Sequence, residues 1–167
     1  EFDSEALRIL VPYTKNGMDE SVVQSFMAAV QLGLKRRFGG KVDHLRMVLQ
    51  DEPGKDGGPR RHYVMLYDSV PGGTGYLHQL LAHDAGTLSD VLKMALQAVT
   101  SCSCNDDPEK DGCYRCLYQY RLGRSMEQVS RDQAKAVLGE LVGALDQLER
   151  VKTISEIFIN PNFDSVL

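Results

Sequence analysis

The chain has 167 residues, 43% of them hydrophobic and 25% charged, and a net charge of −4. That balance fits one domain with a sizeable buried core, and no stretch approaches ~20 consecutive apolar residues, so no transmembrane helix is expected. The acidity argues against an autonomous, strongly basic nucleic-acid binder while leaving room for a local basic patch, and with no Trp and 7% aromatic residues a large stacking platform is not expected.

In chain order, Arg8–Tyr13 predicts a short strand ended by a turn at Lys15-Asn16-Gly17. Val22, Phe26, Val30, Leu34 and Phe38 recur every fourth residue, which predicts an amphipathic helix over about 19–38. Asp19 suits its N-cap and Gly39-Gly40 its stop. Lys35-Arg36-Arg37 then falls in the last turn, where cations are favoured. Val42–Leu49 reads as a strand, with Leu45, Met47 and Leu49 alternating. Gln50–Arg60 holds Pro, Gly and charge and reads as a hairpin tip. His62–Asp68 is the strongest candidate for a central strand. The turn Pro71-Gly72-Gly73-Thr74-Gly75 follows and opens a helix near Tyr76. Thr87-Leu88-Ser89-Asp90 reads as a capping box for a second helix carrying Val91, Leu92, Ala95, Leu96 and Val99.

Beyond the cysteines, Ser130-Arg131-Asp132-Gln133 is another capping box, heading a helix striped by Ala134, Val137, Leu138, Leu141, Val142, Leu145 and Leu148. Ile154, Ile157 and Ile159 read as a final strand or a departing linker. The expected fold is α+β: a small, mostly antiparallel sheet packed with several helices and a four-cysteine zinc knuckle. Residues 1–150 read as a single domain, and 151–167 as the start of a following segment or linker. The ending Asn160–Leu167 breaks off mid-pattern, as in a piece of a longer polypeptide. No basic-then-apolar leader is visible, so a reducing, cytoplasmic setting is expected.

All four cysteines fall within fifteen residues, as Cys102-Ser103-Cys104 and Cys113-Tyr114-Arg115-Cys116. In a reducing compartment such clustering points to metal rather than disulfides. Two close pairs on two short turns suit tetrahedral zinc, because each pair supplies two thiolates to neighbouring corners. The intervening Asn105–Gly112 is turn chemistry throughout, with Gly112 placed to let the chain double back. One structural zinc is preferred, since four protein thiolates leave no coordination position open. An iron–sulfur cluster is the less favoured alternative, because four thiolates hold one as well. A redox dithiol is disfavoured by the second cysteine pair.

Strand, glycine-rich turn and helix is also the geometry of an anion cradle, but Gly72, Gly73 and Gly75 match neither a P-loop nor a dinucleotide fingerprint. A tight turn held by the Asp68 side chain is the simpler reading. From Gly112 to Met126, Arg115, Arg121 and Arg124 lie among Tyr114, Tyr118 and Tyr120, with no acid between them. Arg beside Tyr suits phosphate contact and base stacking, so Arg115, Arg121, Arg124, Tyr118 and Tyr120 are candidate nucleic-acid contacts. The same arginines would also balance a four-thiolate centre, whose formal charge with Zn²⁺ is negative. His44, His62, His78 and His83 show no ligand spacing with one another or with the cysteines.

Tyr67–Tyr76 with its Pro-Gly-Gly-Thr-Gly turn, the two cysteine pairs and Ser130-Arg131 together resemble the MrfA-type zinc-binding domain. That pattern is shared by DEAD/DEAH-box DNA repair helicases and DISARM phage-defence proteins. The resemblance runs from about Ser25 to Leu148, and Tyr114-Arg115 with Leu117–Arg121 is closer to the DISARM-type members. It implies Cys102, Cys104, Cys113 and Cys116 as zinc ligands of a non-catalytic module. The implied partners are DNA, reached through the parent protein, and a helicase motor in cis or a helicase subunit in trans. Any ATPase or unwinding activity would belong to that motor. The alternative is a protein–protein adaptor docking a helicase or nuclease partner without touching DNA. No paired carboxylates, Ser/His/Asp grouping or open metal site supports an enzyme.

Overall fold

Alternation of apolar and exposed side chains sets the sheet. Leu7 and Ile9 of β1 (Ala6–Leu10) stand opposite Leu66 and Val64 of β3 (Arg61–Asp68), and Met47 of β2 (Leu45–Glu52) faces Leu66 from the other side. These side chains line one face, as the two-residue period of a strand requires. The strand order is β1-β3-β2 with both pairings antiparallel, so the apolar run at 62–68 is the central strand, as expected. The computed structural model describes residues 3–11, 20–53, 61–81, 86–118 and 126–158, with side chains to 146 except at 86 and 87.

Four helices complete the α+β fold among these residues: α1 (Glu20–Arg37), α2 (Tyr76–Leu81), α3 (Gly86–Thr100) and α4 (Arg131–Phe158). The apolar stripe of α1 buries Val22, Phe26, Val30 and Leu34, and α1, α3 and α4 pack against one another. One cluster joins Phe26, Leu34, Leu66, Val91 and Leu138, and it includes Cys104 and Cys116. Each large side chain in it contributes roughly 1.5–3 kcal/mol by leaving water. The cysteine segment is therefore an extension of the core. No described helix is long and apolar enough to cross a membrane.

Several elements depart from their expected bounds. β1 ends at Leu10, and Val11 N–H still donates to the His62 carbonyl at 2.9 Å. β2 starts three residues later than the pattern suggested, because Val42 is fully buried in a turn closed by Leu45 N–H to the Val42 carbonyl. The strand instead runs on through Asp51 and Glu52, which find His62 at 2.7 Å and Arg8 at 2.6 Å. α3 begins at Gly86, one residue ahead of the Thr87–Asp90 box, and Ser89 in its first turn is buried. Ile154 and Ile157 continue α4 rather than forming a strand or linker.

Ser130 does cap α4, accepting Gln133 N–H at 3.2 Å. The reciprocal half of the box is redirected into α1. Ser130 N–H donates to Ser25 Oγ at 2.8 Å, and Gln133 Oε1 accepts from Ser21 Oγ at 2.6 Å. Asp19, the Lys15–Gly17 turn, most of the 50–60 hairpin tip and Ile159 lie outside the described residues.

Candidate metal centre

The chain leaves α3 at Thr100 and turns at once. Asn105 Nδ2 donates to the carbonyls of Val99, Thr100 and Cys102, at 3.1, 3.1 and 2.6 Å, so it satisfies acceptors left open at the helix end. A short 3-10 helix, Ser103–Asp106, follows and carries Cys104 inward. The chain returns through Gly112, whose φ of 143° is rarely adopted by other residues, and where a Cβ would sit 2.7 Å from the Tyr118 ring. Cys116 N–H and Tyr118 N–H both donate to the Cys113 carbonyl, folding the second pair into a knuckle.

These turns bring the four thiols together. Cys102 Sγ lies 3.5 Å from Cys113 Sγ; Cys104 and Cys113 Sγ are each engaged with Cys116 Sγ at 3.7 Å; and all four fall within 4.8 Å of one another. A disulfide needs about 2.05 Å, so none is formed. A tetrahedral ion with Zn–S of about 2.3 Å requires sulfur–sulfur edges of about 3.8 Å, and the three closest separations, 3.5 to 3.7 Å, lie near that figure. The donor set fits a thiophilic ion. No histidine or carboxylate joins the cluster among the described residues.

The electrostatics point the same way. Burial pushes the Cys116 thiol up to about 12, against weaker opposition from backbone N–H groups. Burial also raises Cys102. Cys113 is brought down to about 7: burial opposes this, but the Arg115 N–H, 3.4 Å from its Sγ, and the neighbouring thiols outweigh it. Four adjacent sulfurs cannot all ionise without a cation among them, which is what a bound metal supplies.

A buried positive group approaches from the protein side. Arg131, only 7% exposed, donates from Nη1 to the Cys104 carbonyl at 2.8 Å and reaches Cys104 Sγ at 3.6 Å. Burial disfavours its charge, yet the contacts with Cys104 and Asp132 more than offset this and raise its pKa. Lys135 further bonds to Asn105 Oδ1. Neither role was foreseen from sequence. The available signal was a cation in the first turn of α4, where the helix dipole disfavours one.

Of the candidate nucleic-acid contacts, Arg115 is exposed at the knuckle beside Tyr114, which is 56% exposed. Tyr118 is half-buried against the core and meets Tyr114 edge-on at 6.0 Å. Tyr120, Arg121 and Arg124 lie outside the described residues.

The glycine turn is a separate feature. Gly72, Gly73 and Gly75 all have φ between 75° and 81°. Asp68, fully buried at the end of β3, holds the turn as anticipated: it accepts Val70 N–H at 2.9 Å, Thr74 N–H at 2.7 Å and Thr74 Oγ1 at 2.5 Å. His44 Nε2 touches Thr74 Oγ1 at 3.0 Å, and its ring stacks on Tyr76. All three of these hydrogen bonds go to the turn itself.

Fold and site together define a small α+β domain built around a four-thiolate metal centre. Residues 26–117, more than half of the chain, match the family model of the MrfA Zn-binding domain, and the chain belongs to that family. Among solved structures the fold is similar to one described as "Crystal Structure of DUF1998 helicase MrfA bound to DNA". The TM-score is 0.54 and the identity 19%, over 81% of this chain and 17% of that one. The chain thus spans 17% of the length of that solved protein. No curated protein matches it.

Proposed function

We propose that the chain is the zinc-stapled accessory domain of a helicase-type DNA-processing protein, in which Cys102, Cys104, Cys113 and Cys116 hold a single structural Zn²⁺. The observation that carries this reading is the convergence of four sulfurs at 3.5–3.7 Å contacts from two turns fixed by their own backbone hydrogen bonds. Those separations support one ion rather than a multinuclear iron–sulfur cluster, which interposes iron and sulfide between its thiolates. Four protein ligands leave no position for water or substrate, so the ion's role is to fix the fold and not to catalyse.

The parent protein engages DNA, and this module contributes through its metal-proximal surface, where Arg115 is exposed and Arg121 and Arg124 follow in sequence. Likeness to a domain of a DNA-bound helicase supports this assignment. Elemental analysis of the purified chain tests the metal, with one zinc and no iron per chain expected. Anisotropy of labelled single-stranded and duplex DNA across a salt series tests the contact. Affinity falling linearly in log salt marks a phosphate footprint. No binding at low salt assigns DNA contact to the motor and makes the module an adaptor.

A further inference from the structure

Among the described residues, nothing covers the outward face of the sheet. Strand alternation puts Tyr63, Met65 and Tyr67 of β3 on the side opposite Val64, Leu66 and Asp68. The latter three are 0% exposed; the former are half-buried and lie outside the core cluster. Tyr67 is flanked by Ala6 on β1 and Arg46 on β2, and Met65 by Arg8 and Val48. Arg61 pairs in register with Glu52 at the far end of the same face. Three arginines against one glutamate make this a positive face on a chain of net charge −4.

The charges are also arranged among rings. The Arg8 guanidinium sits 3.8 Å over the Tyr63 ring and is held there by Glu52 at 2.6 Å. Arg46 and Arg61 are exposed and form no ion pair among the described residues. Ala6 is too short to cover the phenol of Tyr67 across from it. Tyr63 and Tyr67 are four residues apart on one strand, about 13 Å, which suits bases splayed out one by one rather than stacked on each other.

Resting on the reading that this module takes part in DNA engagement, we propose that the open sheet face binds single-stranded nucleic acid. Bases stack on Tyr67 and on the Arg8–Tyr63 pair, while Arg46 and Arg61 meet phosphates. A positive, aromatic-bearing face on an otherwise acidic chain favours a polyanion with flat bases over a protein partner.

The test is anisotropy of labelled dT15 with the zinc-loaded chain at several salt concentrations. Tyr67→Ala should weaken binding about 5- to 100-fold, the effect of losing one base–aromatic stack. Arg46→Glu should weaken it and lower the salt slope by about 0.7 for each phosphate no longer neutralised. Arg46 is exposed, so that variant keeps its fold even if Tyr67→Ala does not. Wild-type binding matched by both variants overturns the sheet face while leaving DNA engagement through Arg115 intact. Absence of dT15 binding at low salt overturns both. Unchanged dT15 binding by Arg46→Glu, with release of the module from the rest of its parent chain, makes the face a protein seat and also overturns the proposal.

Discussion

Arg131 and Cys104 stand 27 positions apart in sequence, yet the arginine reaches both the carbonyl of Cys104, at 2.8 Å, and its sulfur, at 3.6 Å. The contact fastens α4 to the first cysteine pair and sets a buried positive charge against a thiolate cluster whose net charge with Zn²⁺ is negative. Outer-shell donors of this kind commonly govern metal affinity by 10- to 100-fold.

Arg131→Ala should therefore weaken zinc retention by about 10-fold or more, read as faster transfer to a chromophoric chelator. Arg131→Lys keeps the charge but loses the planar fork, and should recover part of the loss. Equal transfer rates in all three proteins would leave Arg131 a packing residue only. Cobalt substitution gives a second readout, since altered donation to Cys104 shifts the thiolate-to-metal absorption band while simple destabilisation does not.

Removing the ion should be costly because the segment 102–118 contains little regular structure of its own. In such sites metal binding free energy is folding free energy. Cys104→Ser, which strips a buried ligand, is expected to lower the midpoint of thermal unfolding by about 2–4 °C for each kcal/mol of metal binding lost. Chelation of the wild-type protein should produce the same fall, and circular dichroism follows both. A midpoint insensitive to chelator would remove the structural role of the metal.

Local signals in this chain were readable in advance, and long-range ones were not. The cysteine spacing, the central strand at 62–68 and the Asp68-held turn all depend on residues within about fifteen positions of one another, so periodicity and turn chemistry suffice. The span of the resemblance, from about Ser25 to Leu148, likewise encloses the matched region 26–117. The extension of β2 through Glu52 was hidden because it rests on a partner distant in sequence, Arg8 of β1. The redirected cap at Ser130 joins residues 105 apart. The open sheet face depends on long-range register in the same way: Tyr63 and Tyr67 read as strand formers until the register sets Arg8 and Arg46 beside them.

Ser25 illustrates how much a small buried group carries. It is fully buried, donates to the Ser21 carbonyl at 2.6 Å and accepts Ser130 N–H at 2.8 Å. Ser25→Ala removes few atoms but leaves that N–H without a partner at the start of α4. The expected loss is about 1–3 kcal/mol in urea unfolding. A Ser25→Ala protein as stable as wild type would show that the α1–α4 seam does not depend on it.

Asp68 gives the domain an acid limit. Burial alone would raise its pKa, but the Thr74 hydroxyl, the Val70 and Thr74 N–H groups and nearby His44 outweigh burial and hold it below the ordinary value of 3.8. A carboxyl whose folded pKa is depressed contributes stability that is complete above the unfolded pKa and lost as pH falls through the folded one. Asp68→Asn replaces an acceptor facing three donors with an amide that presents its own N–H groups. At pH 7 it should cost about 2–4 kcal/mol. The gap between wild type and variant should stay constant from pH 8 to about 5 and close below about 4, as the wild-type carboxyl takes up its proton. Acid release of the metal is common to both proteins and drops out of the difference. A gap as wide at pH 3 as at pH 7 would mean that shape, and not the carboxylate charge, holds the Pro71–Gly75 turn.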